Sequence, residues 1–145
     1  MDLDQTRYLD WPALRKYCWH VAGVVGELSA GIFGYKDPKT IDYAGKLGIA
    51  FQLTNIIRDV GDDARRGRIY LPISDLQQFN VRAADILNSR YCEGFGSLMK
   101  FEAHRAQSLY REAIDALPDC DRRAQRPGLM MAALSMDIPA PPQLP

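Results

Sequence analysis

The sequence is short of several things, and each shortage excludes a class of protein. It has three cysteines, Cys18, Cys92 and Cys120. They are widely spaced and odd in number, so neither a disulfide framework nor a paired-cysteine metal site is written into it. It has no surplus of either charge, since 18 Lys and Arg balance 18 Asp and Glu. A nucleic-acid-binding chain would usually be basic. The longest charge-free runs reach about ten residues, half of the roughly 20 that cross a bilayer. No basic-then-apolar leader opens the chain, and no G-x-G-x-x-G dinucleotide fingerprint appears. These absences leave a soluble, reduced, cytoplasmic protein as the expectation, with at most peripheral contact with a membrane.

What is present is apolar material in helical spacing. Of 145 residues, 47% are hydrophobic, enough for one core and too much for a disordered chain. Asp10-Trp11-Pro12 reads as a helix start, with a capping carboxylate and proline in the first turn. From there Leu14, Tyr17, Val21, Val24, Val25, Leu28 and Ile32 recur at three-and-four spacing, one apolar stripe of one helix. Residues 34–38, GYKDP, end it. A second helix is expected over residues 40–63, with Ile49, Leu53, Ile56, Ile57 and Val60 as its buried stripe.

Ser74 or Asp75 is placed to cap a short helix over residues 76–79, and residues 81–87 read as another. A long helix over residues 90–117 carries Phe95, Leu98, Met99, Ala106, Leu109, Tyr110 and Ala113. Pro118 closes it, and Asp119 or Asp121 starts a last piece running to Leu134. No segment alternates with period two, so the class is all-α. Residues 135–145 form a proline-rich tail in which no helix continues, and disorder is expected there. Residues 1–134 are expected to form the folded unit.

Residues 47–72, LGIAFQLTNIIRDVGDDARRGRIYLP, carry the chemistry. At about 100° per residue, Gln52, Asn55, Asp59 and Asp63 project into one sector of the second helix. Gly45 and Gly48 lie on the same side, which suggests a cavity there rather than a packed surface. Asp59 and Asp63 stand one turn apart, so their carboxylates can converge on a hard cation. Magnesium keeps waters and is typically held by one or two carboxylates plus substrate phosphates. Arg58, Arg65, Arg66 and Arg68 surround the acids, and guanidinium forks suit a diphosphate. A solvated, salt-bridged helix end accounts for the same acids and arginines. Against it stand Gln52 and Asn55, amides that are costly in an apolar run unless paired.

The string G48-xxx-Q52-xx-N55-I-x-R58-D59-xxx-D63-xxxx-R68-x-Y70-x-P72 resembles the second aspartate-rich motif of the squalene/phytoene synthase family. These are all-helical enzymes that join two prenyl diphosphates head to head. Residues 17–28, YCWHVAGVVGEL, are similar to the family's preceding helix, and residues 101–134 to its C-terminal part. The resemblance implies the second half of an isoprenoid-synthase-type helical bundle. It implies that Asp59 and Asp63 bind Mg2+, with Mn2+ as a substitute, and that Asn55 supports the same cluster. Gln52, Arg58 and Arg68 would hold diphosphate, and Tyr70 would stand by the reacting end, completing a catalytic group with Asp59 and Asp63. Tyr17, Val21 and Val25 would wall the prenyl chain.

The implied chemistry is metal-assisted ionisation of an allylic diphosphate. A second substrate's double bond then attacks the cation through a cyclopropyl intermediate, shielded from water by apolar and aromatic walls. Farnesyl diphosphate leading to presqualene diphosphate or squalene is placed ahead of geranylgeranyl diphosphate leading to phytoene. NADPH enters only if the product is squalene.

The family's first aspartate-rich motif has no counterpart here, because Asp2, Asp4 and Asp10 lack one-turn spacing. The chain therefore reads as an incomplete form, completed by a missing N-terminal half or self-associating through its exposed face. Two alternatives stay open: a non-catalytic remnant serving as a helical interaction module, and an all-α Mg-dependent nucleotide pyrophosphatase. Other residues are given structural roles. His20 is read as core or surface and Cys18 as a small buried hydrophobe. Trp19, Phe33 and Tyr43 are read as packing. Glu102, Arg105, Arg111 and Glu112 are read as a solvated ion-paired face, and Arg122, Arg123 and Arg126 as surface.

Overall fold

In the computed structural model, which describes residues 7–88 and 92–136, eight α-helices and two irregular turns of helix account for the regular structure. Helix α1 (Trp11–Cys18) starts where its cap predicts: the Asp10 carboxylate accepts from the Ala13 amide at 3.0 Å, with Pro12 in the first turn. It does not run on regularly. A π-helical turn (Trp19–Gly23) separates it from α2 (Val24–Phe33). The indole of Trp19 accounts for the space around this turn. A Cβ on Gly23 would stand 2.4 Å from the ring, and one on Gly45 would stand 2.5 Å from it.

That turn overturns the single stripe expected for this region. A π-bulge inserts extra backbone and rotates everything after it around the helix axis. Leu14 is buried, but Val21, Val24, Val25, Leu28 and Ile32 are all exposed, Ile32 at 83%. The buried positions are Gly23, the last residue of the π turn, and Ala30 on α2. The apolar stripe is therefore an uncovered face of α2, not part of the core.

Helix α3 (Lys39–Arg58) is the central element, packed most extensively on α7 (Glu93–Ala116) and then on α2 and the π turn. Its predicted stripe of Ile49, Leu53, Ile56 and Ile57 is buried, as is Val60. The expected continuous helix breaks at Asp59 (φ −99°, ψ 12°), and the short α4 (Val60–Arg65) follows. The Asp63 amide still donates to the Asp59 carbonyl at 2.8 Å, so the one-turn relation of the two acids survives the break. On α7 the seven apolar residues expected in the core are all buried. The helix begins at Glu93, and residues 89–91 lie outside the described residues.

The crossing of α2 over α3 is set by glycines. A Cβ on Gly26 would meet the Ala44 carbonyl oxygen at 2.4 Å, and one on Gly48 the Ala22 carbonyl oxygen at 2.4 Å. Gly48 thus serves close approach and also borders the cleft described below, whereas Gly45 is covered by the Trp19 ring, correcting the expectation that it opens a cavity. The α2–α3 corner is stapled from a distant loop. Asp121, in a 3-10 turn (Asp119–Asp121), accepts from the Lys36 and Asp37 amides at 2.7 and 2.9 Å and from the Thr40 hydroxyl at 2.6 Å. Gln125 Nε2 donates to the Ala30 and Gly34 carbonyls at 3.1 and 2.9 Å, closing the end of α2.

Short helices α5 (Ile73–Gln78) and α6 (Ala83–Leu87) lie between α4 and α7. Neither Ser74 nor Asp75 caps α5; Pro72 holds the cap position and Asp75 is buried. The last helix, α8 (Arg126–Met136), starts later than expected because the chain first makes the 3-10 turn that carries Asp121. It includes Ser135 and Met136, which the sequence assigned to the tail, because the apolar helical run continues to Met136 before the prolines. Residues 137–145, the rest of the expected tail, lie outside the described residues.

Candidate diphosphate and metal site

The site is built on the last turns of α3, on α4 and on the segment leading to α5. Gln52, Asn55, Asp59 and Asp63 are all half-buried, neither core nor free surface. Arg58 grips Asp59 with two prongs, Nε to Oδ1 at 2.9 Å and Nη2 to Oδ2 at 3.1 Å. That hydrogen bond holds the Asp59 carboxyl below the usual carboxylate range. Asp63 moves the other way. Burial and then the neighbouring Asp59 carboxylate raise it, against the opposing pull of Arg66 and Arg68. The two acids feel one another, as one-turn spacing requires.

Arg65 pairs with Asp62 on the outer side of α4. Arg68 reaches the Tyr70 hydroxyl, Nη1 to O at 3.3 Å. Its backbone amide is held by the Asp63 carbonyl at 2.8 Å, and Gly67, at φ 74°, makes the reversal that allows this. Arg68 is therefore fixed beside Asp63 through its main chain, and Tyr70 beside Arg68 through its hydroxyl. Tyr70 stacks on Tyr17, centroids 5.6 Å apart, and on Tyr8 at 6.3 Å; Tyr8 and Tyr17 stand 5.2 Å apart. Tyr17 thus joins Tyr70 behind the acids.

A cleft of about 320 Å³ runs along the same face of α3, between α2 and α8. Val21 and Val25 line it from the π turn and α2, Gly48 and Phe51 from α3, and Met131 from α8. Phe33, at the end of α2, and Tyr43, on α3, expected to be packing alone, line it too. Gly48, Gln52, Asn55 and Asp59 follow one another on one helix face, so the polar row begins where the apolar cleft ends. With about 1.5 Å of rise per residue, Gly48 to Asp59 spans roughly 16 Å.

Among the described residues, no group of three or more His, Cys, Asp and Glu could hold a metal. The donor set is instead a carboxylate pair with the Asn55 amide one turn back. Two repelling carboxylates with one amide fit a cation that takes its remaining ligands from water and phosphate.

Sequence reasoning missed Tyr8, for which there was no signal, and Phe51, which helical spacing from Gly48 does indicate. It also placed Glu102 and Arg105 on a solvated face. Glu102 is fully buried and Arg105 largely so, because each finds a partner inside: Arg105 Nη1 bonds Asp75 at 2.6 Å and Glu102 at 3.1 Å. Arg111 and Glu112 are exposed, as are Arg122, Arg123, Arg126 and His20, and Cys18 is buried.

Comparison with known proteins matches the chain over residues 1–139 to the model of the family described as squalene/phytoene synthase. A phytoene synthase of Arthrospira platensis is 46% identical, the match covering 82% of this chain and 44% of the relative. A 15-cis-phytoene synthase of Synechocystis is 40% identical, over 88% of this chain and 41% of the relative. The chain therefore spans less than half the length of these curated relatives. Among solved structures, a squalene synthase from Alicyclobacillus acidocaldarius superposes with a TM-score of 0.79 at 30% identity, covering 93% of this chain and 52% of that one. A dehydrosqualene synthase in complex with ligand gives 0.78, also at 30% identity, covering 94% and 48%.

Proposed function

This chain belongs to the squalene/phytoene synthase family, and from that premise we propose that it forms the second aspartate-bearing half of a synthase that condenses two prenyl diphosphates head to head. The observation that carries this is the continuity of one helix face. On α3 an apolar cleft gives way to Gln52, Asn55 and Asp59, with Asp63, Arg68 and Tyr70 fixed beside them. A prenyl diphosphate has the same order, an apolar tail followed by an anionic head.

In this reading the tail lies in the cleft against Val21, Val25 and Phe51 and takes their apolar surface out of water. The head lies among Gln52, Arg58 and Arg68, where the two guanidinium groups and the Gln52 amide N–H take phosphate oxygens. Asp59 and Asp63, with Asn55, would hold Mg2+ or Mn2+, which supplies charge stabilisation to the departing diphosphate. The mutual repulsion felt at Asp63 supports this assignment, since a cation between the acids relieves it. Arg58 holds Asp59 ionised and ready. Tyr17 and Tyr70 present aromatic surface near the reacting end.

The names of the matched relatives support placing phytoene, from geranylgeranyl diphosphate, ahead of squalene. This reverses the order suggested by the sequence; NADPH would enter only for squalene. The first aspartate pair and the cover for the α2 face, with Leu28 and Ile32 exposed, would come from the remainder of the fold or from a second copy. Among the described residues no helix is long and apolar enough to cross a membrane. A cytoplasmic site of action, with at most peripheral membrane contact, is part of the proposal, and no nucleic-acid partner is.

The test is calorimetric binding of inorganic pyrophosphate with Mg2+, followed by lipid product analysis with geranylgeranyl and farnesyl diphosphate. Binding that Asp59→Asn weakens by about tenfold or more, the loss of one charge-assisted contact, is expected. Absence of binding by folded wild-type protein overturns the site, and binding without any lipid product favours the non-catalytic helical module.

A further inference from the structure

Behind the tyrosine stack lies a buried charged cluster that the proposed chemistry does not use. Arg105, on α7, stacks on Trp11 of α1 and Phe101 of α7, its guanidinium carbon 4.7 Å from each ring centre. It bonds Asp75 of α5 at 2.6 Å and Glu102 of its own helix at 3.1 Å. Two carboxyls thus face one cation in a dry place. With both ionised, the cluster would bury an uncompensated negative charge. Glu102 Oε1 is buried and finds no donor, while the Asp75 carboxyl lies against Glu102. A proton on Glu102 removes both difficulties, neutralising the excess charge and supplying the missing hydrogen bond.

The cluster's position gives it a task. Trp11 follows shortly after Tyr8, and Asp75 shortly after Tyr70. The two segments are zipped together by the Ile73 amide on the Tyr8 carbonyl at 2.8 Å and the Ser74 amide on the Leu9 carbonyl at 2.9 Å. Both segments that bring Tyr8 and Tyr70 into the stack with Tyr17 therefore end on the same guanidinium.

We propose that Glu102 carries a proton shared with Asp75, and that the resulting neutral Asp75–Glu102–Arg105 cluster is a clamp that sets the place of Tyr70. Glu102 and Arg105 are then positioning residues. What Tyr70 does rests on the function proposed above; the clamp itself does not. Burial first, then the hydrogen bond with Asp75, push Glu102 up to about 9, so the proton is kept at neutral pH. The groups facing it are Asp75 from α5 and Arg105 from α7, and α1 contributes the uncharged Trp11.

The test is hydrogen exchange by mass spectrometry over residues 69–76, corrected for intrinsic rate, in the whole chain at pH 7 and pH 10. Glu102→Gln keeps a donor toward Asp75 and cannot ionise, whereas Glu102→Leu keeps bulk without either bond. Wild type should exchange faster at pH 10, and Glu102→Gln should not. Glu102→Leu should already be about tenfold or more faster at pH 7, as the loss of a buried hydrogen bond requires. If Glu102→Leu does not fold, the pH response of Glu102→Gln against wild type decides. An equal pH response in those two, or a Glu102→Leu protein as protected as wild type, overturns the clamp. Pyrophosphate affinity with Mg2+ adds a second readout: Glu102→Leu should weaken it and Glu102→Gln restore it to within about twofold. Wild type that fails to bind pyrophosphate overturns the proposed function, while the exchange result still decides the clamp.

Discussion

Gly48→Ala adds one methyl group where the π turn that leads into α2 crosses α3, and the structure says where it goes. The new Cβ would stand 2.4 Å from the Ala22 carbonyl oxygen, 2.9 Å from its carbon and 3.0 Å from the Gly23 Cα. All three are backbone atoms, so no side chain can rotate away and the two helices must separate. Overpacking of this kind typically costs about 1–3 kcal/mol, while replacing a mid-helix glycine returns roughly 0.5–1 kcal/mol. The net loss expected is up to about 2.5 kcal/mol, or several degrees of melting temperature at ~2–4 °C per kcal/mol for a chain of this size.

Gly96 on α7 supplies the control. It is exposed, with nothing within 4 Å of a Cβ. Gly96→Ala should therefore raise the melting temperature through helix propensity alone. Circular-dichroism melts of both variants at one pH measure the contrast in sign. A Gly48→Ala protein as stable as wild type would refute the close crossing as the reason for glycine there. Because Gly48 also lines the cleft, the forced separation should weaken binding of a prenyl diphosphate in parallel.

Four further outcomes follow from single sites. Glu102 is raised from 4.5 to about 9, so the folded state holds its proton more tightly than the unfolded state. Its neutral-form stability is complete below the ordinary carboxylate range and is lost as pH rises toward 9. The melting temperature of Glu102→Gln relative to wild type should therefore climb between pH 5 and about 9 and then level off. Asp121 is held below the carboxylate range, first by the Thr40 hydroxyl and then by backbone amides. Its contribution is present above that range and lost as pH falls through it, so Asp121→Asn should narrow its gap to wild type in acid melts. Arg58→Ala should let the Asp59 carboxyl resonance titrate closer to its ordinary value, and should raise Mg2+ affinity while lowering pyrophosphate affinity. Burial pushes the Cys18 thiol up to about 12, so iodoacetamide at pH 8 should label exposed Cys120 first and Cys18 last.

The parts legible in the sequence were those where one helix meets its surroundings regularly. The buried stripes of α3 and α7 follow from apolar spacing alone, because both helices keep one register from end to end. The row Gln52, Asn55, Asp59 and Asp63 was legible for the same reason, and Asp63 kept its place because the Asp59 carbonyl still receives its amide across the break. The α1–α2 stripe misled because a π turn changes the register without any proline or glycine pair to announce it. The pairing of Arg105 with Asp75 was illegible, since thirty residues of chain separate two charges that look like ordinary surface residues.

Amino-acid order by itself determined the class, most of the helices and the row of polar side chains along α3. Helical periodicity, capping and the one-turn spacing of two acids are local properties, set by bonds and rotations within a few residues. Only the tertiary structure decided which apolar face is covered, why glycines occupy the α2–α3 crossing, and that a carboxyl on α7 stands in a dry cluster holding Tyr70's segment. Those outcomes depend on which distant groups share one volume, where exclusion of water and of overlapping atoms acts between segments that the sequence keeps apart.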